Sequence, residues 1–145
     1  MKRLLLITSA VLIATLQANA TVCKNVHFFD PDSKELKAEF QVSVAETHKQ
    51  RAKGLMFVKS MPENVGMLFS WQYPAYRAMW MKNTYIPLDM VFVENDTVVY
   101  IKKEAVPHSI QAISVEHPVD KILEINGKQA EKHNLKVGDK MLCQP

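Results

Sequence analysis

The segment Ala78–Val93, AMWMKNTYIPLDMVFV, sets Lys82, Asn83 and Thr84 inside an otherwise apolar run. An ammonium buried without a partner costs more than a small fold can offset, so Lys82 must reach water or a carboxylate. Asp89, beyond the bend at Pro87, is the nearest acid downstream. Read as a strand, the segment puts Ala78, Trp80, Lys82 and Thr84 on one face and Met79, Met81 and Asn83 on the other. Two arrangements satisfy these constraints. In one, Asn83 and Thr84 hydrogen-bond the backbone of the Tyr85-Ile86-Pro87 bend while Lys82 pairs with Asp89 at a barrel rim. In the other, Trp80, Lys82, Asn83 and Asp89 line a polar-footed cleft that binds a small ligand.

Other side chains with chemical capacity are scattered. Arg51 lies on a short helix, where its fork can bridge to Asp89 or Glu124, or hold a carboxylate-bearing or phosphorylated ligand. His108, in the loop Val106-Pro107-His108-Ser109, can act as acid or base near neutrality, or stand solvated. A hydrolase or transferase using Lys82, Asp89 and His108 is therefore an alternative, although no nucleophile elbow, Ser/His/Asp signature or phosphate loop accompanies it. Met79-x-Met81 offers two thioethers of the kind that hold Cu(I), against which stands the use of Met as a flexible core filler. His27, His48, His108, His117 and His133 lack paired metal spacing. The expectation is non-catalytic binding, with no cofactor and no metal.

The compartment is written at the N-terminus. Lys2 and Arg3 precede the mostly apolar Leu4–Leu16, and Ala18-Asn19-Ala20 fits a small-x-small cleavage site, so residues 1–20 read as a secretory signal peptide. Gln17 and Asn19 close the apolar run before the roughly 20 residues that a membrane span needs. The expected location is periplasmic or secreted, with no membrane span after cleavage. Cleavage lowers the basic count from 18 to 16 against 15 acids, which leaves no electrostatic footprint for nucleic acid or anionic lipid. Cys23 and Cys143 are the only cysteines, and in an exported chain an even count predicts a bridge. That bridge would close a loop of about 120 residues, and without C-x-x-C spacing its role is structural.

The elements that must position these residues form one domain, residues 21–145, with no repeat or linker to divide it. Leu36–Ala45 alternates as a half-buried strand. Thr47 and Gln50 match a capping box, and Gly54 can end that helix with positive φ. Strands are predicted at Gly66–Ser70, Arg77–Asn83, Leu88–Val93, Val98–Ile101, Val119–Ile125 and Lys140–Cys143, with Leu88–Val93 central because both its faces are apolar. Glu94–Thr97 reads as a tight hairpin and His108–His117 as a loop with one short strand. A second short helix is expected from an Asn126 cap to about His133, with Asn134 as its left-handed end. Six or seven strands and two short helices make a strand-dominated α+β domain whose sheet is curled or closed like a barrel. The pattern specifies no oligomer, and a monomer is the working expectation.

Five ordered motifs carry a resemblance: Arg51-x-x-Gly54-Leu55-Met56 after Thr47; Gly66-Met67-Leu68-Phe69; Trp80-Met81-Lys82-Asn83-Thr84-x-x-Pro87-Leu88-Asp89; Leu123-Glu124 with Gly127; and Val137-Gly138-Asp139. Together, over about Leu36 to Leu142, the chain resembles the domain of unknown function 192 family. One departure is Ala78-Met79, standing before Trp80 where another aromatic would be expected nearby. The resemblance implies a small exported or membrane-associated β-rich domain and no assigned activity. The residues and the resemblance together suggest an exported domain that binds a small molecule, a cell-envelope component or a protein partner through Trp80 to Asp89.

Overall fold

A computed structural model describes residues 23–145; the signal peptide expected at residues 1–20 lies outside the described residues. The chain runs β1 (Asn25–Phe29), β2 (Leu36–Ala45), α1 (His48–Lys53), β3 (Val65–Ala75), β4 (Ala78–Met79), β5 (Leu88–Glu94), β6 (Thr97–Ala105), β7 (Ile113–Ser114), β8 (Val119–Asn126), α2 (Gln129–Lys132) and β9 (Lys140–Gln144). Seven strands close into a barrel in the order β1-β2-β3-β8-β5-β6-β9, while β4 and β7 form a separate two-stranded sheet. The expected closed, strand-dominated architecture is therefore present. β2 and β3 pair in parallel, Gln41 opposite Val65 to Ala45 opposite Phe69; every other barrel pair is antiparallel. Parallel neighbours cannot be joined by a hairpin, so residues 46–64, including α1, cross outside the barrel.

Side-chain alternation sorts the core into two layers. Val26, Phe28, Phe40, Leu68, Val91, Val93, Val98, Leu123, Ile125 and Met141 come from seven strands and fill the barrel, and Ala130 and Leu135 pack with them from the α2 region. The opposite faces of β3, β5 and β8 carry Phe69, Leu88, Met90, Phe92 and Ile122 into a second cluster, covered by Leu55 and Met81. β5 is thus covered on both sides, which explains why its sequence is apolar without alternation.

Turn chemistry follows the sequence in most places. Thr47 Oγ1 accepts the Gln50 backbone N–H at 3.2 Å, and Gln50 Oε1 accepts the Thr47 N–H at 2.9 Å, completing the capping box. Gly54 ends α1 at φ 47°, ψ −136°, a positive φ outside the left-handed helical well. Asn95 and Asp96, at φ 46° and 65°, make the β5–β6 hairpin, and Asn134, at φ 50°, follows α2 as expected.

Four expectations are corrected. Arg77–Asn83 is not a strand: only Ala78–Met79 pairs, with Ile113 and Ser114, and the chain then turns through Asn83 at φ 55°. The face assignment for Trp80, Lys82 and Thr84 therefore fails, and Met81 is wholly buried. Asn126 does not cap α2; it ends β8, and its Nδ2 donates to the carbonyls of Met61 and Pro62 at 2.8 and 3.0 Å. Gly66–Ser70 is the first half of a longer strand, β3, which runs on to Ala75. Finally β1 was not foreseen, because its Val26/Phe28 alternation spans only five residues.

Cys23 and Cys143 are bridged, with Cα atoms 5.5 Å apart. They lie on or beside the neighbouring strands β1 and β9, where Val26 faces Cys143. Among the described residues no helix is long and apolar enough to cross a membrane. The disulfide is compatible with an extracellular or periplasmic protein.

Candidate functional site

The crossover and the turn after β4 enclose a cleft of about 240 Å³ against the outer face of β3 and β8. α1 contributes His48, Arg51 and Lys53; the following loop contributes Gly54, Leu55 and Met56; β3 contributes Phe69 and Trp71. Met79, Trp80, Lys82 and Thr84 close the opposite wall, and Glu124 of β8 also lines it. Of the residues singled out from sequence, Arg51, Trp80, Lys82 and Thr84 meet here.

Lys82 is exposed and forms no ion pair among the described residues. Its Nζ lies 5.2 Å from the Trp80 ring centroid, within cation–π range. The expected Lys82–Asp89 pair does not form, because Asp89 is wholly buried and both its oxygens are used. Oδ1 accepts the Glu104 backbone N–H and Oδ2 that of Ala130, each at 2.8 Å. The first bond pins the irregular β5–β6 register between Leu88 and Met90, where Glu104 has φ 46°. The second caps α2, whose own N-cap residue, Lys128, makes no side-chain cap bond.

Asn83 and His108 also lie outside the cleft wall. The Asn83 carbonyl accepts the Phe57 N–H at 2.8 Å, and its Nδ2 reaches Met56 Sδ at 3.9 Å, so it docks the crossover onto the turn. The His108 ring lies tilted against Tyr85, centroids 5.1 Å apart, and its backbone N–H donates to the Thr84 carbonyl. Lys82, Asp89 and His108 are thus three separate environments. Met81, one of the two thioethers considered for copper, is sealed in the second cluster.

Arg51 does not bridge to Asp89 or Glu124. Its Nη1 donates to the carbonyls of Ser70, at 3.0 Å, and Glu46, and its guanidinium lies 5.1 Å from the Trp71 ring centroid. Arg77 sits 4.1 Å from the same ring. Burial, followed by the charge of Arg51, lowers the Arg77 pKa from its usual value.

Glu124 is the residue whose part in the cleft the sequence reading missed. It is 4% exposed, its backbone neighbours across the sheet are Met67 and Met90, and its carboxyl makes no hydrogen bond among the described residues. Burial pushes its pKa up from 4.5 to about 8, with no charged neighbour pulling it back. At neutral pH it is therefore a carboxylic acid, able to donate one hydrogen bond and accept another. The signal was present: a lone acid within Ile122-Leu123-Glu124-Ile125 poses the same question as Lys82.

The profile of the domain of unknown function 192 family, described as Uncharacterized ACR, matches residues 30–143. The chain belongs to this family. Two crystal structures are similar to this family member. One, from Sinorhizobium meliloti 1021 and described as a proposed transcription regulator, is 34% identical with a TM-score of 0.79, over 84% of this chain and 94% of that one. The other, a protein of unknown function from Novosphingobium aromaticivorans DSM 12444, is 34% identical with a TM-score of 0.76, over 81% and 83%. No curated protein matches the chain.

Proposed function

We propose that this family member is exported and binds a small molecule, such as a cell-envelope fragment, non-covalently in the cleft between α1 and the Trp80–Thr84 turn. The observation that carries this reading is the cleft itself, in which Arg51, Trp80, Lys82 and Thr84 surround a buried carboxyl without a partner. Apolar walls with a few convergent polar groups are the usual make-up of a ligand site. The alternative of a hydrolase or transferase using Lys82, Asp89 and His108 has no support in the geometry, since Asp89 is occupied by two backbone amides and His108 does not line the cleft. Export rests on residues 1–20 and accords with the Cys23–Cys143 bridge.

The test is a melting-shift screen of a metabolite library against the wild type, Lys82→Ala and Trp80→Ala. A ligand present at 100 times its Kd stabilises by about 2.7 kcal/mol, and both variants should lose about half of that shift or more while keeping the unliganded Tm. Equal shifts in all three proteins would place binding elsewhere. Mass spectrometry of protein recovered from the periplasm or medium should find Thr21 as the first residue.

A further inference from the structure

We infer that the cleft takes a monosaccharide-sized hydroxylated carboxylate of the sugar-acid type, its anionic group held by Arg51 and Lys82 and a hydroxyl hydrogen-bonded to Glu124. This rests on the ligand-binding reading above and assigns the chemical class. Three independent features converge on it.

The first is charge. Arg51, Lys53, Arg77 and Lys82 stand in or beside the cleft, and none forms an ion pair among the described residues. Two of the guanidiniums share the Trp71 ring. Such a collar repels a cationic ligand and attracts an anion.

The second is the unpartnered acid. Glu124 is more than nine-tenths buried and its residual exposure opens into the cleft. While it keeps its proton, its needs are met by a group that both accepts and donates, which a hydroxyl does. A fully deprotonated inorganic anion such as sulfate would satisfy the collar yet offer this carboxyl acceptors only. The ionisable groups sharing the cleft with Glu124 are His48, Arg51 and Lys53 of α1 and Lys82 of the turn; the side chains facing it from β3 and β5 are Met67 and Met90.

The third is size and shape. A cleft of about 240 Å³ lies below the roughly 300–1,000 Å³ typical of sites for drug-sized ligands, so the ligand is small. Trp80, half exposed at the rim, offers a flat apolar face to the carbon body of a sugar ring.

Isothermal titration calorimetry with D-glucuronate, D-galacturonate and D-gluconate, set against D-glucose and D-glucosamine, tests the assignment. At about pH 7 a sugar acid should bind, glucose at least about tenfold more weakly, and glucosamine not at all. Between about pH 7 and 9 the affinity for the acid should fall about tenfold, because only the fraction of protein with protonated Glu124 is competent. Glu124→Gln, which keeps a donor and an acceptor without a titratable proton, should bind within about threefold of wild type at pH 7 and lose this pH dependence. Lys82→Ala should weaken binding about tenfold.

Binding of glucosamine that strengthens with pH and is abolished in Glu124→Gln would overturn the anionic class while leaving the ligand site standing. Failure of all three acids to bind would overturn the sugar-acid assignment, whereas the cleft reading stands or falls separately on the library screen.

Discussion

Oδ2 of Asp89 accepts the backbone N–H of Ala130 at 2.8 Å, joining a barrel strand to the first turn of α2 across 41 residues of sequence. Together with the bond from Glu104 N–H, it commits both carboxylate oxygens to the backbone. The acid that the sequence offers as a partner for Lys82 is therefore a structural cap, and the lysine is left to the cleft.

Asp89→Ala should cost about 2–4 kcal/mol, because two amide donors lose their acceptor in a buried setting. Lys82→Ala should change stability by no more than about 0.5 kcal/mol, as an exposed side chain with no ion pair among the described residues. Urea titration of both variants checks the contrast. Equal losses would mean that the two residues act as a pair.

Glu124 makes stability depend on pH with a definite sign. Its folded pKa of about 8 lies above the ordinary 4.5, so the folded state binds the extra proton between those values. The stabilisation is fully present below about pH 4.5 and is lost as pH rises through about 8, with a slope on the order of 1 kcal/mol per unit at most. Glu124→Gln should flatten that slope and raise Tm at pH 8, because it removes the need to bury a charge. Melting curves from pH 5 to about 9, for wild type and variant, measure it.

Gly66 lies against β8, where an added Cβ would meet the Glu124 carbonyl oxygen at 2.6 Å. That neighbour is backbone, so β3 or β8 must move. Gly66→Ala should destabilise by about 1–3 kcal/mol and perturb the cleft from its barrel side, visible as a lowered Tm together with weakened ligand binding. An unchanged Tm would contradict the close approach.

Reduction of the Cys23–Cys143 bridge should lower stability by about 2–5 kcal/mol, since the closed loop spans nearly the whole described chain. Denaturation with and without reductant checks it. A loss below about 1 kcal/mol would assign closure of β1 on β9 to side-chain packing alone.

Much of the barrel was legible because its signals are local. Thr47 and Gln50 lie three residues apart, Asn95 and Asp96 sit between two apolar runs, and Leu88–Val93 is apolar on both faces. The turn at Asn83 was not legible: Trp80–Thr84 has the composition of a strand, and only docking of the Phe57 N–H on the Asn83 carbonyl reveals the bend. The same holds for α2, whose cap comes from Asp89, 41 positions away, where the nearer Asn126 was expected. Within the cleft, Arg51, Trp80, Lys82 and Thr84 could be singled out as polar or aromatic residues in telling places. Glu124 required knowing which face of β8 the crossover covers.

The parallel pairing of β2 and β3 has a further implication. A seven-stranded barrel wound by hairpins alone would need no chain to travel over its outer wall, and the flank of β8 would be bare. Here the return path, residues 46–64, is obligatory and doubles as the roof over Glu124. Lengthening or resequencing that path would re-cut the recess while the staves beneath it stayed in place, so the shape of the recess can change in one segment without disturbing the cylinder that holds it.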